Sequence, residues 1–156
     1  MNMPFEGVSF HGAKLALFVG DQLAVILRDD NPDIVWPNHW DMPGGGREGD
    51  ETPLECALRE TWEELGVQID PALVVWGKRF DHLSGDKWFF VAHVRAAVAE
   101  DIVFGDEGQM WRLMSPAQYF ELPNHIGRFA ERLQVYLSGV DGDLFERTPR
   151  NVSGGS

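Results

Sequence analysis

A glycine-rich loop and the helix after it constrain this chain more than any other stretch. Thr52 suits the helix N-cap, Pro53 suits the first helical position, and Glu55 completes a capping box with Thr52. Gly66 is typical of the residue that follows the last helical turn. The sequence therefore predicts a helix over about residues 53–65, entered directly from the loop.

Glutamates cluster on one side of the predicted helix. At about 100° per residue, Glu60, Glu63 and Glu64 fall together, opposite an apolar stripe. The stripe consists of Leu54, Leu58, Thr61, Trp62 and Leu65. Like charges at these spacings destabilise a helix, whereas clustered carboxylates are ligands for Mg²⁺, Mn²⁺ and Ca²⁺. A solvated acidic face on an acidic protein is the alternative interpretation.

The residues around this cluster resemble the signature of the Nudix hydrolases. In that signature a glycine, a glutamate, an Arg-Glu pair, two further glutamates, a glycine and an aliphatic residue stand at fixed spacings. These positions are filled here by Gly45, Glu51, Arg59, Glu60, Glu63, Glu64, Gly66 and Val67. Only Thr61 departs from the pattern, because the family usually has Leu, Ile or Val there. A signature of this length is far more specific than a lone glycine motif.

The resemblance implies a fold, a reaction and a set of site residues. Nudix enzymes have an α/β/α sandwich with a mixed sheet, and they hydrolyse a diphosphate linked to another moiety using Mg²⁺ or Mn²⁺. Glu60, Glu63, Glu64 and the Gly45 carbonyl resemble the metal ligands, with Mg²⁺ as the expected ion and Mn²⁺ as the alternative. Arg59 would orient these carboxylates; its other interpretation is an ordinary helical pair with Glu55.

The general base has two candidates, because family members differ in where it lies. Glu107, in the segment G-D-E-G before a predicted strand, is the candidate on a distant loop, as base or as a further metal ligand. Its alternative interpretation is a solvated loop acid. Glu60, inside the signature, is the other candidate base.

Substrate recognition is less clearly marked. Asn124 or His125 resembles the place where some nucleotide-pool-cleaning members read a purine, although Asn124 also suits a helix N-cap. Arg28 is placed to meet phosphates, with surface solubility as its alternative role. Residues that mark the ADP-ribose, dinucleoside-polyphosphate and coenzyme A subgroups are missing. We therefore expect a nucleoside triphosphate or related small nucleotide, with a non-catalytic nucleotide-binding domain as the alternative.

Apolar strands surround the signature. L-A-L-F-V and L-A-V-I-L are apolar on both faces and are separated by Gly20-Asp21, typical of a tight hairpin. Further strands are predicted around residues 7–11, 40–42, 73–81, 87–96 and 109–114, and further helices over 116–120 and 125–138. Two-faced strands with a helix in mid-chain and another near the end predict a sheet between helices, in the α/β class.

Length and charge bound the organisation and the partners. The 156 residues predict one domain over residues 1–139 and a polar, mobile tail over 140–156. The net charge of −12 and the lack of a basic run make duplex nucleic acid and membranes poor partners, and favour a small anionic nucleotide met through metal. The single cysteine and the lack of an apolar span predict a cytoplasmic protein. The sequence leaves open whether the protein forms a homodimer.

Overall fold

The computed structural model describes residues 9–81 and 85–143. Its strands are β1 (Gly12–Val19), β2 (Gln22–Leu27), β3 (Trp40–Asp41), β4 (Gly44–Gly46), β5 (Val74–Phe80), β6 (Lys87–Val94) and β7 (Met110–Met114). Its helices are α1 (Pro53–Leu65), α2 (Pro116–Glu121) and α3 (Gly127–Leu137), with 3₁₀ turns at Pro71–Leu73 and Ala96–Asp101. Within this part of the chain, no helix has the length and apolarity needed to cross a bilayer.

All seven strands form one mixed sheet. The strand order is β3-β2-β1-β6-β5, with β4 paired to β1 and β7 paired to β2. The β1–β6 pair is parallel and the other pairs are antiparallel. On β1, Leu15 and Leu17 belong to the core cluster that includes α1, whereas Ala16 and Phe18 belong to the cluster that includes α2 and α3. The two-faced strands are thus covered on both sides, and the predicted α/β/α sandwich is confirmed.

The signals at the ends of α1 act as the sequence predicts. Thr52 accepts a hydrogen bond from the Glu55 backbone, the Glu55 side chain accepts one from the Thr52 backbone, and Gly66 ends the helix in the left-handed conformation. The predicted apolar stripe is partly wrong, because Trp62 faces solvent and 52% of its surface is exposed. Cys56 and Ala57 fill the interface with the sheet instead.

Four other predictions of local structure need correction or lie partly outside the described residues. The three glycines at 44–46 form a strand rather than a loop, and α3 begins at Gly127 rather than near residue 125. Residues 9–11 precede the first strand, and residues 7–8 lie outside the described chain. Of the predicted tail, Val140 and Asp143 are bonded to β5, while residues 144–156 are outside the described part.

Leu65 anchors α1 to the sheet, because its side chain is fully buried. Leu65→Ala is expected to lower the free energy of unfolding by about 2–5 kcal/mol, from lost burial and the cavity left behind. Denaturant titration measures this. Trp62→Ala, at the exposed position on the same helix, is the control and should change stability by less than about 0.5 kcal/mol. A larger loss from Trp62→Ala would contradict the observed orientation of α1.

Candidate functional site

Strand β4 brings the glycines against α1. The Gly44 backbone N–H donates to Glu64 Oε1 at 3.0 Å, which fixes one carboxylate oxygen beside the sheet. Gly44 has a φ of +136°, and a Cβ there would lie 2.2 Å from the Ala13 carbonyl oxygen. Only glycine fits both the backbone conformation and this close approach to β1. The local chain therefore explains why glycine is needed where the Glu64 carboxylate meets backbone.

Gly45 makes room for the carboxylate of Glu60. A Cβ at Gly45 would lie 2.6 Å from Glu60 Cδ, so the carboxylate packs directly on the glycine backbone. The Gly45 carbonyl accepts a long hydrogen bond from Cys56 Sγ at 3.5 Å. Burial raises the pKa of the Cys56 thiol to about 11, so this thiol is a poor nucleophile.

Arg59 holds the acidic residues together. Its guanidinium donates to Glu51 and to the Gly46 carbonyl, and to Glu60 and Glu63 at 3.1 Å each. Burial raises the pKa of Glu51, but the hydrogen bonds from Arg59 and from the Glu48 backbone outweigh burial, so this pKa lies below its ordinary value. Arg59 therefore ties the loop to α1 and bonds to Glu60 and Glu63, as its predicted orienting role requires, and the alternative pairing with Glu55 is not observed.

The two innermost glutamates have raised pKa values. Burial raises the pKa of Glu64 to about 7, against the opposing effects of Lys14 and the Gly44 N–H. Burial also raises the pKa of Glu60, although Arg59 favours its charged form. The positive groups near these two carboxylates therefore do not offset the effect of burial. A bound divalent cation would stabilise their charged forms.

A second charged group, missed by the sequence analysis, lies beside the glycines. Lys14 Nζ lies 3.0 Å from Asp41 Oδ1 and donates to the Gly44 carbonyl at 3.1 Å. Arg28 donates to Asp41 Oδ2 at 3.0 Å, so the buried Asp41 forms salt bridges with two basic side chains. The sequence did contain a signal for this pair, because a lysine and an aspartate each lie within an apolar strand. A buried charge needs an oppositely charged partner.

Two cavities open on this group. The smaller, of about 200 Å³, is lined by Ile26, Arg28, Asp29, Ile34, Asp41, Glu64, Glu107 and Gly108. It brings Glu107 to the same space as Glu64, from a loop more than 40 positions further along the chain. The larger, of about 420 Å³, lies between the glycine strand and α3, and Arg28 and Asp41 line both cavities. Arg28 thus borders both cavities, and its guanidinium can contact a phosphate bound there.

The donor set suits a hard divalent cation. It consists of glutamate oxygens and backbone carbonyls, which Mg²⁺ and Mn²⁺ prefer, and its one thiol is protonated. Within residues 9–81 and 85–143, however, no three His, Cys, Asp or Glu side chains already surround one point. Glu60 and Glu63 are turned to Arg59, and Glu64 to Gly44. The assignment of Gly45, Glu60, Glu63, Glu64 and Glu107 as ligands stays a prediction.

The two residues predicted to read a purine are placed elsewhere. Asn124 Nδ2 donates to the Asn38 carbonyl at 2.9 Å, and a His125 ring nitrogen lies 2.6 Å from the Leu122 carbonyl. Neither residue lines the two cavities. The N-cap alternative for Asn124 is wrong, because α3 begins after Ile126, whose side chain makes no capping bond. Asn124 instead fastens the loop that precedes β3.

The raised pKa of Glu64 gives a prediction for the metal-free protein. The folded pKa of about 7 exceeds the ordinary glutamate value of 4.5, so the stability that Glu64 contributes is present below pH 4.5 and lost as pH rises through 7. In chelator, Glu64→Gln should therefore raise the free energy of unfolding at pH 8 by about 1–3 kcal/mol and change it little at pH 4. Urea titrations at the two pH values test this, and equal effects at both would contradict it.

Comparisons with known proteins agree with the signature. A family model described as the NUDIX domain matches residues 11–134. An RNA pyrophosphohydrolase of Roseobacter denitrificans is 40% identical over 72 residues, covering 46% of this chain and 39% of that protein. An m7GpppN-mRNA hydrolase of Bos taurus is 37% identical over 65 residues, covering 42% of this chain and 22% of that protein. The chain thus spans less than half the length of these curated relatives.

Solved structures share the fold. The MutT protein of Methanosarcina mazei aligns with a TM-score of 0.66 at 18% identity, over 83% of this chain and 93% of that chain. An Ap4A hydrolase of C. elegans aligns with a TM-score of 0.62 at 16% identity, over 82% and 98% respectively. With this fold, the glutamates organised by Arg59 and a family match over residues 11–134, the chain belongs to the Nudix hydrolase family.

Proposed function

We propose that this chain is a metal-dependent pyrophosphohydrolase that cleaves the diphosphate bond of a nucleoside diphosphate linked to another moiety. The observation that carries the proposal is the placement of Glu64 and Glu107 on one cavity, beside the carboxylates that Arg59 holds. The names of the relatives from Roseobacter denitrificans and Bos taurus, a pyrophosphohydrolase and an mRNA hydrolase, support this reaction class.

The reaction needs a water molecule to attack a phosphorus atom that carries negative oxygens. The water oxygen forms a bond to this phosphorus, the bond from the phosphorus to the bridging oxygen breaks, and a carboxylate takes the proton. Glu107 is the proposed base, because it faces the cavity that Glu64 lines and has no ion pair among the described residues. Glu60 is the alternative base, but its carboxylate is occupied by Arg59.

Glu60, Glu63, Glu64 and the Gly45 carbonyl are the residues that would hold Mg²⁺, or Mn²⁺ in its place. A bound divalent ion neutralises phosphate oxygens and acidifies water. Arg59 keeps Glu60 and Glu63 in position by donating to both, and its bonds to Glu51 and to the Gly46 carbonyl tie them to the preceding loop. Without such an ion, the acidic face of an already acidic protein repels a diphosphate.

A nucleoside triphosphate or related small nucleotide is the proposed substrate. The larger cavity has the volume expected of a small-molecule site, and Arg28 and Lys14 line it close to the glycines. The half-exposed ring of Trp36 also lines this cavity and offers a surface on which a base can stack. We also propose a cytoplasmic location, which the single buried cysteine supports.

A panel of nucleotides tests the function. Nucleoside triphosphates, ADP-ribose, dinucleoside polyphosphates and 5′-triphosphorylated oligonucleotides are incubated with the full chain and Mg²⁺ or Mn²⁺, and the products are separated by chromatography. We expect cleavage of a diphosphate bond, with triphosphates turned over fastest. Binding of nucleotides without any product would instead favour the non-catalytic nucleotide-binding domain.

A further inference from the structure

Three cations border the larger cavity on the side formed by β6 and α3. Lys87 begins β6, and Arg128 and Arg132 lie one helical turn apart on α3. We call these three residues the distal cationic wall. Asp41, the one carboxylate among the described lining residues, is already bound by two other cations, Lys14 and Arg28. Such a group of basic side chains contrasts with a chain whose net charge is −12.

Arg132 is the most informative member of the wall. It is only 6% exposed, and no described carboxylate or carbonyl oxygen is within hydrogen-bonding or ion-pairing distance of its guanidinium. The guanidinium lies over the rings of Phe80 and Phe129, at 5.0 and 5.9 Å from their centroids. These cation–π contacts offset part of the cost of burying the charge, but they do not replace an anionic partner. Arg132 therefore faces the cavity as a buried cation that lacks an anion among the described residues.

The other two members add to this positive charge. Burial and the nearby Arg128, Arg132 and Lys14 lower the pKa of Lys87. Arg128 lies over the ring of Trp36, at 5.8 Å from its centroid, and has no ion pair in the described part of the chain. Like charges held together in this way repel each other unless an anion binds between them. Guanidinium groups suit phosphate in particular, because they present several N–H donors in one plane.

The wall lies across the cavity from the glycine strand, against which the glutamates of α1 pack. Gly12 on β1 pairs with Gly46 on one edge and with Lys87 on the other. Neighbouring strands are about 4.8 Å apart, so the backbone of Lys87 lies roughly 10 Å from the glycine strand. The α1 glutamates do not line this cavity, and Glu60 and Glu64 are bound close to the glycine strand, at Gly45 and Gly44. A diphosphate held at the glutamates therefore leaves the wall free for a different group of the same ligand.

We infer that the distal cationic wall binds a phosphate of the substrate that is separate from the hydrolysed diphosphate. The chemistry is that of a nucleotide with a phosphate on its 3′ oxygen, either as a terminal phosphate or as the phosphodiester of an oligonucleotide. This inference rests on the proposed function, because the diphosphate is assigned to the glutamates. It narrows the substrate class from small nucleotides in general to those with this second phosphate.

Binding without hydrolysis provides the test. The full chain, in chelator and at low salt, is titrated calorimetrically with adenosine 3′,5′-bisphosphate and with adenosine 5′-monophosphate, neither of which contains a diphosphate. We expect the bisphosphate to bind at least about tenfold more tightly. The double variant Lys87→Gln, Arg128→Gln should reduce this preference to about twofold or less. These two side chains are only partly buried, so their replacement is compatible with folding.

The controls separate the wall from general charge and from the reaction. Arg95→Gln, at an exposed arginine outside the cavity, should leave the preference unchanged. The dinucleotide pApA, which carries the second phosphate as a phosphodiester, is a third ligand: retention of the gain with pApA assigns the wall to an oligonucleotide, and its loss assigns the wall to a terminal phosphate. Equal affinities for the two mononucleotides, or an undiminished preference in the double variant, would overturn the inference. Because no turnover is measured, a failed nucleotide panel overturns the proposed function alone.

Discussion

Glu60→Gln and Glu64→Gln are each expected to lower kcat by about 10³-fold or more while the fold survives. Both carboxylates lie where α1 meets the glycine strand, and burial raises the pKa of both. The amide keeps the shape of each side chain but removes the charge with which it holds a divalent ion. An ion that supplies several kcal/mol of transition-state stabilisation accounts for a loss of this size. Steady-state kinetics at saturating Mg²⁺ measure the loss, and circular dichroism verifies the fold.

The matched control is Glu55→Gln on the same helix. Glu55 serves the capping box at the start of α1, where glutamine is an accepted alternative, so the rate should stay within about twofold. Chelator should bring the wild-type rate to background, and added Mg²⁺ should restore it. Full turnover in chelator, or by both glutamate variants, would contradict the metal assignment.

The helix and the order of its glutamates were predictable because their signals are local. Thr52, Glu55 and Gly66 satisfy backbone groups at the helix ends, and this requires no knowledge of distant residues. The relation of Arg59 to the glutamates also follows from the signature. Arg59 bonds to Glu51, which lies in the loop just before the helix, so this contact also joins residues that are close in the sequence.

The residues that the sequence analysis missed all depend on contacts between distant parts of the chain. Lys14 and Asp41 meet because the chain runs directly from β3 into β4, which pairs with β1 at Lys14, and neither residue belongs to the signature. The three glycines were assigned to a loop because glycine is disfavoured in strands; their strand pairing arises from close packing on β1. The exposure of Trp62 has a similar origin, since small residues, Cys56 and Ala57, let the helix approach the sheet on a different side.

Asn124 and His125 show the limit of carrying a role across a family by position. The resemblance placed them at the start of the last helix, but α3 begins later, after Ile126. Asn124 bonds to a backbone carbonyl in the loop before β3, His125 lies close to the Leu122 carbonyl in its own loop, and neither residue lines the two cavities. On α3, the side chains that line the larger cavity belong to Arg128, Phe129 and Arg132, one turn further along the chain. A shift of two residues in the helix start is therefore enough to change which side chains line the larger cavity.

Glu107→Gln is expected to lower kcat by about 10²-fold, within the usual range for the loss of a general base. Glu107 is exposed and lines the cavity that Glu64 and Asp41 also line, so a water held between them lies within its reach. KM should change little, because the side chain is proposed to act on the attacking water and not on the nucleotide.

Glu100→Gln is the control for a general loss of negative charge in the same acidic region. Glu100 is exposed, lies on the 3₁₀ turn Ala96–Asp101 and lines neither cavity, so its replacement should leave the rate within about twofold. Equal, small effects of the two substitutions would remove Glu107 from the site. The proton would then have to go to Glu60, which Arg59 already binds at 3.1 Å, and Arg59 would have to release that carboxylate before it could act as a base.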